Sequence, residues 1–223
     1  PLDAVASMLR GTGTLFHTDA VQAIGQIPLS MNQLPVDYLS ASAHKFHGPK
    51  GSGFAFIRKN TRLKGMISGG TQERELRAGT ENVTGIVGLG KALDLCVTHL
   101  DEYANSIQEI KDYTIEQLKL HIPDVRFNGR SSEKENSLFT LVSVLLPFKD
   151  PLIGLKLDMR GVAISQGSAC SSGAAQMSTV MLMVLDDEEM ENWTPLRVSF
   201  SHKTTKEDID QLVSALVEIQ KDL

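Results

Sequence analysis

Two residues with complementary chemistry, Asp19 and Lys45, each follow an apolar run near the start of the sequence. The pattern predicts a buried strand over residues 14–18 that leads into Asp19, and a second strand over residues 36–42 that ends shortly before Lys45. The connection between the two runs is long enough for the strands to be parallel neighbours. A lysine amine can form an imine with an aldehyde, and a carboxylate can keep a ring nitrogen protonated. The pair therefore suits a cofactor that carries both groups.

Small polar residues near Lys45 extend this interpretation, because pyridoxal phosphate carries an aldehyde, a pyridine nitrogen and a phosphate that needs hydrogen-bond donors. Ser42 and His44 precede the lysine, and Thr80 lies in the glycine-rich segment of residues 69–82, which we interpret as an ordered functional loop. On spacing alone, a purely structural role for each residue is favoured. A strand-end aspartate is more often a helix cap or a turn former, and a lysine in a loop rich in glycine and proline is more often solvated.

The two cysteines lie in contrasting sequence contexts. Cys170 is at the centre of residues 166–174, which are small and polar, and this composition predicts a mobile arm on which a thiol can reach a substrate. Cys96 lies in an apolar helical pattern, residues 92–97, where a buried structural role is expected. Two cysteines are too few for a secreted disulfide scaffold and wrongly spaced for a zinc site, so we expect no metal site.

Arg197 is a charged residue inside the otherwise apolar strand pattern of residues 195–200. A buried guanidinium needs a carboxylate or a similar partner. An amino-acid substrate would supply one, and so would an acid among residues 186–191 of the same chain. Both interpretations stay open on the strength of this residue alone.

The remaining pattern predicts an α/β protein, with a cofactor-binding domain over residues 1–97 and a smaller α+β domain over residues 98–223. Helical periodicity with one break covers residues 83–120, and Thr204 and Glu207 have the capping-box spacing that predicts the start of a final helix. The apolar stripe of that helix consists of Ile209, Leu212, Val213, Leu216 and Ile219. The other predicted elements are helices at residues 2–9 and 151–159 and strands at residues 54–58, 125–127, 138–146 and 162–165.

The composition limits the class of protein. A chain of 223 residues with 41% hydrophobic side chains can bury a substantial core. A net charge of -5 and a pI near 5.7 provide no basic field for a phosphate backbone, so nucleic acid is not an expected partner. No run approaches the roughly 18 uninterrupted apolar residues of a membrane span, and the pattern has no export signal. We therefore expect a protein of the cytoplasm without membrane association.

Five motifs occur in an order that resembles the cysteine desulfurases of the class V aminotransferase family, in particular the long-loop group that serves iron-sulfur cluster assembly. The family's chain is longer, and the resemblance is to its carboxyl-terminal part. Together the motifs cover nearly the whole sequence and are far more specific than any single one. They are residues 17–22 (His-Thr-Asp-Ala-Val-Gln), residues 42–51 around Lys45, residues 72–82, residues 167–170 (Gly-Ser-Ala-Cys) and residues 197–199 (Arg-Val-Ser).

The resemblance implies a partial pyridoxal-phosphate-dependent transferase type I fold, with a large domain built on a mainly parallel sheet. It also implies that Lys45 is the Schiff-base lysine and proton carrier, that Cys170 is the sulfur-accepting nucleophile, and that Arg197 binds the substrate carboxylate. The implied cofactor contacts are Asp19 on the pyridine nitrogen, Gln22 on the ring hydroxyl, Ser42 and His44 on the phosphate, and Thr80 on the phosphate of a neighbouring subunit.

The implied reaction removes sulfur from L-cysteine and gives L-alanine and a persulfide on Cys170, which a sulfur-acceptor or scaffold protein collects. A site shared between subunits implies a homodimer. Two alternatives stay open. One is another class V enzyme, a selenocysteine lyase or an aminotransferase, which needs Lys45 but not a nucleophilic Cys170. The other is a truncated, non-catalytic module that binds a partner without the cofactor. Thr71 and Glu75 stand where the family usually has glycine, so the shape of that loop is also open.

Overall fold

The computed structural model describes residues 2–166 and 178–223. The chain divides into two compact units, an amino-terminal unit (Pro1–Leu100) and a carboxyl-terminal unit (Asp101–Leu223). Cys170 and the rest of residues 167–177 lie outside the described residues. In the described part of the chain no single helix is long and apolar enough to cross a membrane, and the consecutive helices Val83–Thr98 and Leu100–His121 meet that criterion only as a bent pair.

The amino-terminal unit contains a three-stranded sheet in the order β1-β2-β3. β1 and β2 are parallel, with His17 opposite Tyr38 and Asp19 opposite Ser40, which confirms the predicted parallel pairing. β3 runs antiparallel to β2. The elements of this unit are α1 (Leu2–Leu9), β1 (His17–Asp19), β2 (Tyr38–Ser42), a 3₁₀ turn (Ala43–Phe46), β3 (Gly53–Ile57), a second 3₁₀ turn (Gln72–Glu75) and α2 (Val83–Thr98).

The core of the amino-terminal unit is small and rich in alanine. Phe46 and Val36 are completely buried and Leu39 is 1% exposed, and all three pack with Ala92 and Cys96 of α2. Gly25 lies so close to this cluster that a Cβ there would stand 2.8 Å from Phe46 Cβ. The crossover between β1 and β2 is therefore pressed onto the turn that carries Lys45.

A single arginine fastens the end of this crossover. Arg58, directly after β3, donates hydrogen bonds to the carbonyl oxygens of Val36 at 2.7 Å, Leu34 at 2.6 Å and Met31 at 3.1 Å. Asp37, which directly follows Val36, links this end of the crossover to the residues before β1, because its carboxylate accepts a hydrogen bond from Phe16 N at 2.8 Å. Both side chains satisfy backbone groups that the short strands leave unpaired, and they fix where β1 and β2 begin.

The carboxyl-terminal unit contains an antiparallel sheet in the order β4-β5-β6. Its predicted strand at residues 162–165 reduces to one isolated bridge between Ser165 and Arg197, which corrects that prediction. The elements are α3 (Leu100–His121), β4 (Arg126–Phe127), β5 (Leu141–Leu146), α4 (Ile153–Asp158), α5 (Thr179–Val184), α6 (Asp187–Asn192), β6 (Thr194–Ser199) and α7 (Lys206–Lys221).

The core of the carboxyl-terminal unit is larger and consists mainly of leucine, isoleucine and valine. The predicted apolar stripe of α7 is buried at all five positions, and it packs with Leu118 of α3, Val142 of β5 and Leu157 of α4. The cap of α7 differs from the prediction by one residue. Thr205 Oγ1 accepts from Asp208 N at 3.2 Å, and the Asp208 carboxylate accepts from Thr205 N at 2.9 Å.

Two lysines, one fully buried and one paired with a buried carboxylate, complete the carboxyl-terminal unit. Lys111 of α3 is fully buried, and its Nζ donates to Ser137 Oγ at 2.7 Å and to Leu138 O at 2.8 Å. Burial lowers the pKa of Lys111, and the Asp112 carboxylate opposes that change. Lys156 pairs at 2.8 Å with Asp150, whose side chain is only 4% exposed. These groups fasten the loops of residues 128–140 and 147–152 onto the helices.

Candidate active site

Asp19 and Lys45 lie at the same end of the amino-terminal sheet. Asp19 is the last residue of β1, and Lys45 lies in the 3₁₀ turn that begins directly after β2. Because the strands are parallel and neighbouring, their carboxyl ends share one edge, where open α/β sheets bind ligands. Asp19 Oδ1 accepts from Val21 N at 2.9 Å, which orients the carboxylate. Within the described residues, neither side chain forms an ion pair.

The turn that carries Lys45 is held by its neighbours. His47 adopts a left-handed conformation with φ of 66°, and Gly48 N donates to Ala43 O at 2.8 Å, which closes the turn. Gln26 Nε2 donates to Lys45 O at 3.4 Å, so the lysine backbone is fixed while its exposed amine extends to solvent. The sequence predicts this position for Lys45, and the fixed backbone gives the amine a defined point of attachment.

Ser42 and His44 form a polar pair beside the lysine. Ser42 Oγ and His44 Nδ1 are 2.9 Å apart, a hydrogen bond whose direction depends on the histidine tautomer. His44 is exposed and Ser42 is half-buried at the end of β2. One hydroxyl and one imidazole thus face the same edge of the sheet as Asp19, and both can donate to a phosphate oxygen.

The glycine-rich loop is ordered by hydrogen bonds of its own. Gly79 N donates to Gln72 Oε1 at 3.1 Å. Arg77 Nη1 donates to the carbonyl oxygens of Gly79 at 2.8 Å and Thr80 at 3.2 Å. The Thr80 residue is exposed, so its hydroxyl is available to a ligand. Gln22 is exposed as well and lies just beyond β1.

This loop contains three consecutive non-glycine residues in the left-handed region. The φ angles are 48° at Glu73, 56° at Arg74 and 66° at Glu75. Such a conformation costs roughly 1–2 kcal/mol per residue for an L-amino acid. Glu75 therefore holds a left-handed conformation that glycine would adopt without this cost.

Arg197 lines a cavity in the carboxyl-terminal unit. It lies on β6, half-buried, and its Nη2 donates to Ser165 Oγ at 3.1 Å. Within the described residues it forms no ion pair, and Glu189 of the acidic segment pairs with Arg126. The cavity has a volume of about 310 Å³ and is lined by Arg197 together with Ser143, Gln166, Trp193 and Met181. It is large enough for an amino acid, and the guanidinium gives it a site for a carboxylate.

Sequence reasoning missed most of the residues around this cavity. Gln166 Nε2 donates to the carbonyl oxygens of Asp150 and Pro151, both at 3.4 Å, and its Oε1 accepts from Gly154 N at 3.3 Å. It thereby fixes the start of α4 beside the cavity. The only sequence signal was its place immediately before the small, polar segment that contains Cys170.

Cys96 has the structural role that its context predicts. It is 4% exposed and its Sγ donates to Phe46 O at 3.4 Å. Burial raises the pKa of its thiol, so the reactive thiolate form is disfavoured. The predicted nucleophile Cys170 lies outside the described residues.

The residues of the amino-terminal edge fit pyridoxal phosphate. A carboxylate and a lysine amine that form no ion pair among residues 2–166 and 178–223, together with a serine–histidine pair, lie at the carboxyl ends of adjacent parallel strands. These groups match the pyridine nitrogen, the aldehyde and the phosphate in chemistry. Among the described residues no cluster suits a metal ion.

Comparison with known proteins identifies the family. The chain matches the family described as Aminotransferase class-V over residues 1–212 and belongs to that family. The cysteine desulfurase IscS of Dictyoglomus turgidum is 40% identical over 221 residues, which cover 98% of this chain and 55% of that protein. The cysteine desulfurase IscS of Methanosarcina thermophila is 37% identical over 224 residues, which cover 100% of this chain and 54% of that protein. The chain thus spans about half the length of these relatives.

Solved structures confirm the fold class. A NifS-like protein superimposes with a TM-score of 0.85 at 32% identity, covering 100% of this chain and 57% of the other. The NifS-like protein from Rickettsia africae superimposes with a TM-score of 0.83 at 26% identity, covering 99% and 57%. The chain therefore has a partial type I transferase fold, as the motif order predicts.

Proposed function

We propose that this chain is the part of a cysteine desulfurase that carries the cofactor lysine and the sulfur-accepting cysteine. The observation that supports it best is the position of the Asp19 carboxylate and the Lys45 amine at the ends of adjacent parallel strands, where neither forms an ion pair with another described residue. Both relatives are cysteine desulfurases, which supports the choice among class V activities.

Each residue would have a defined task with pyridoxal phosphate. The cofactor supplies a ring that accepts the electron pair released at the substrate α-carbon. Asp19 would hold the proton on the pyridine nitrogen, and Gln22 would bind the ring hydroxyl. Ser42 and His44 would hold the phosphate. Thr80 would bind the phosphate of a neighbouring subunit in a homodimer.

The substrate would be handled by three further side-chain actions. Arg197 would bind the carboxylate of L-cysteine, because its guanidinium has no ion-pair partner among the described residues. Lys45 Nζ would take the α-proton and later return a proton to the carbon skeleton. Cys170 would accept the sulfur as a persulfide, with L-alanine as the other product. A sulfur-acceptor or scaffold protein would then collect that sulfur.

The first test concerns the cofactor lysine. Protein isolated with the full length of its natural chain is reduced with borohydride, digested and analysed by mass spectrometry. We expect the peptide that contains Lys45 to carry the mass of the reduced cofactor. Lys45→Ala should remove that mass and the visible absorbance, and the matched variant Lys50→Ala, an exposed neighbour, should keep both. Protein that stays colourless after pyridoxal phosphate is added would instead support the non-catalytic module.

The second test separates the desulfurase from other class V enzymes. Cys170→Ala should keep the visible absorbance and lose sulfide release from L-cysteine by at least about 100-fold, because the sulfur would have no acceptor. Cys96→Ala is the control at the other cysteine and should keep activity if the protein folds. Full sulfide release by Cys170→Ala would refute the desulfurase and favour a selenocysteine lyase or an aminotransferase.

A further inference from the structure

The short helix α5 has no buried residue, although most of its side chains are apolar. Val180 is 61% exposed, Leu182 51%, Met183 91% and Val184 51%. Single exposed apolar residues are ordinary on a protein surface. Four of them within one six-residue helix concentrate exposed apolar surface at one place, with Val180, Met183 and Val184 on one helix face, and such surfaces mark interaction sites.

The patch is presented by an anchored element. At the start of α5, Ser178 Oγ accepts a hydrogen bond from Val180 N at 3.3 Å. At its end, Leu185 is 6% exposed, and its N donates to Met181 O at 2.9 Å. The buried Leu185 therefore anchors the carboxyl end of α5, and the cap at Ser178 favours the helical conformation that presents these side chains.

Acidic side chains border the patch. α6 follows directly, and its capping box uses Asp186 and Glu189, of which Glu189 also pairs with Arg126 at 3.1 Å. The other three acids of this segment are exposed, and within residues 2–166 and 178–223 they form no ion pair. These three acids are Asp187, Glu188 and Glu191.

We propose that this α5–α6 surface, the four apolar side chains of α5 with Asp187, Glu188 and Glu191, docks a partner protein through an apolar segment flanked by lysine or arginine. The negative charge of the three acids favours a partner with basic residues. Nucleic acid and anionic membranes are repelled by the acidic border. A second copy of this chain, with its net charge of -5, would place the same three acids against themselves in a symmetric contact. The proposal goes beyond the proposed function and uses none of the cofactor or substrate residues.

The test uses a fluorescein-labelled amphipathic peptide with a leucine face flanked by lysines, and a twin with glutamate in place of each lysine. Fluorescence anisotropy measures the Kd of each for the full chain at low and high salt. We expect the lysine peptide to bind at least about tenfold more tightly than its twin, with an advantage that shrinks at high salt. Leu182→Ser with Met183→Ser should weaken the lysine peptide at least about tenfold.

Matched variants and alternative occupants keep the test decisive. Leu155→Ser with Met159→Ser removes two apolar residues of α4 and its end that are 58% and 78% exposed, and it should leave the Kd unchanged. Equal weakening by both pairs, or equal binding of both peptides, would overturn the proposal. So would a dimer that Met183→Ser converts to monomer, since a second copy would then occupy the surface. Slower peroxide oxidation of Met183 than of Met159 in the free protein would also overturn it, because the patch would then be covered within the protein itself.

Discussion

At the scale of single residues, Lys111 is a cation in an unusually apolar environment. It is fully buried, and both hydrogen bonds that its amine makes go to uncharged groups. Because burial lowers its pKa, the unfolded chain binds more protons than the folded protein between the folded-state pKa and 10.5. The free energy of unfolding should therefore rise with pH through that window.

Lys111→Met should remove this rise. Each unit by which the pKa differs between the two states corresponds to about 1.4 kcal/mol at the upper end of the window. Urea unfolding at alkaline pH compares the wild type with Lys111→Met, because the difference between their slopes cancels the opposite contributions of Cys96 and Tyr113, whose pKa values are raised by burial and by a hydrogen bond to Asp210 respectively. Lys134→Met, at an exposed position, is the control and should keep the wild-type slope. A Lys111→Met slope equal to that of the wild type would contradict the prediction.

Glu75 stores strain in the glycine-rich loop, since its φ is 66°. Glycine adopts this conformation without a steric penalty, so Glu75→Gly should raise the free energy of unfolding by about 1 kcal/mol. Glu81→Gly changes another exposed glutamate of the loop where φ is not positive, and it should lower stability by up to about 1 kcal/mol. Urea midpoints followed by circular dichroism compare the two variants, and shifts of the same sign would rule out strain at residue 75.

At the scale of secondary-structure elements, the cap of α7 gives the sharpest prediction. Thr205→Ala removes the hydroxyl that accepts from Asp208 N and should cost about 1 kcal/mol of unfolding free energy. Glu207→Ala should change little, because the carboxylate in the capping box belongs to Asp208. Trp193 fluorescence during urea unfolding reports on this unit. A larger loss of unfolding free energy for Glu207→Ala than for Thr205→Ala would contradict this cap. It would support the capping box of Thr204 and Glu207 that the sequence pattern predicts.

The same cap shows how far sequence could predict the elements. Two threonines and two acids are adjacent at residues 204–205 and 207–208, so both capping registers satisfy the pattern and only the backbone conformation selects one. The apolar stripe of α7 was predictable because its spacing leaves a single buried face. The parallel pairing of β1 and β2 was predictable because two apolar runs and a long crossover allow few other arrangements.

The candidate site was predictable only where the chain itself supplies the signal. Asp19 and Lys45 follow strand patterns directly, so their shared edge could be expected. The cavity at Arg197 could not be predicted from the sequence, because its lining residues come from segments that are far apart, such as those of Ser143, Gln166 and Trp193. The left-handed residues 73–75 could not be expected either, since glycine is the usual signal for that conformation and none is present there.

At the scale of the whole molecule, the cores of the two units differ in the size of their buried side chains. The core of the amino-terminal unit relies on several alanines around Phe46, whereas that of the carboxyl-terminal unit is built from larger aliphatic side chains. Buried apolar area stabilises at roughly 25 cal/mol per Å², so the amino-terminal unit should be the less stable one. Each unit has its own core, and such chains commonly unfold in more than one step.

Urea unfolding should therefore show two transitions. The single tryptophan, Trp193, lies in the carboxyl-terminal unit, and its fluorescence should follow only the second transition. Far-ultraviolet circular dichroism reports on the helices of both units and should begin to change at lower urea. Added pyridoxal phosphate should move the first transition to higher urea, because the proposed ligands lie in the amino-terminal unit. Coincident transitions by both signals would contradict unequal stability.

The hydrogen bond from Cys96 to the carbonyl of Phe46 has a practical consequence for anyone who handles this protein. A buried sulfur with a raised pKa should not be alkylated by maleimide at neutral pH while the fold is intact. A dye introduced under native conditions should therefore leave Cys96 unlabelled, and labelling of this thiol would require the amino-terminal unit to open. The same reagent can thus report on opening of the core around Phe46.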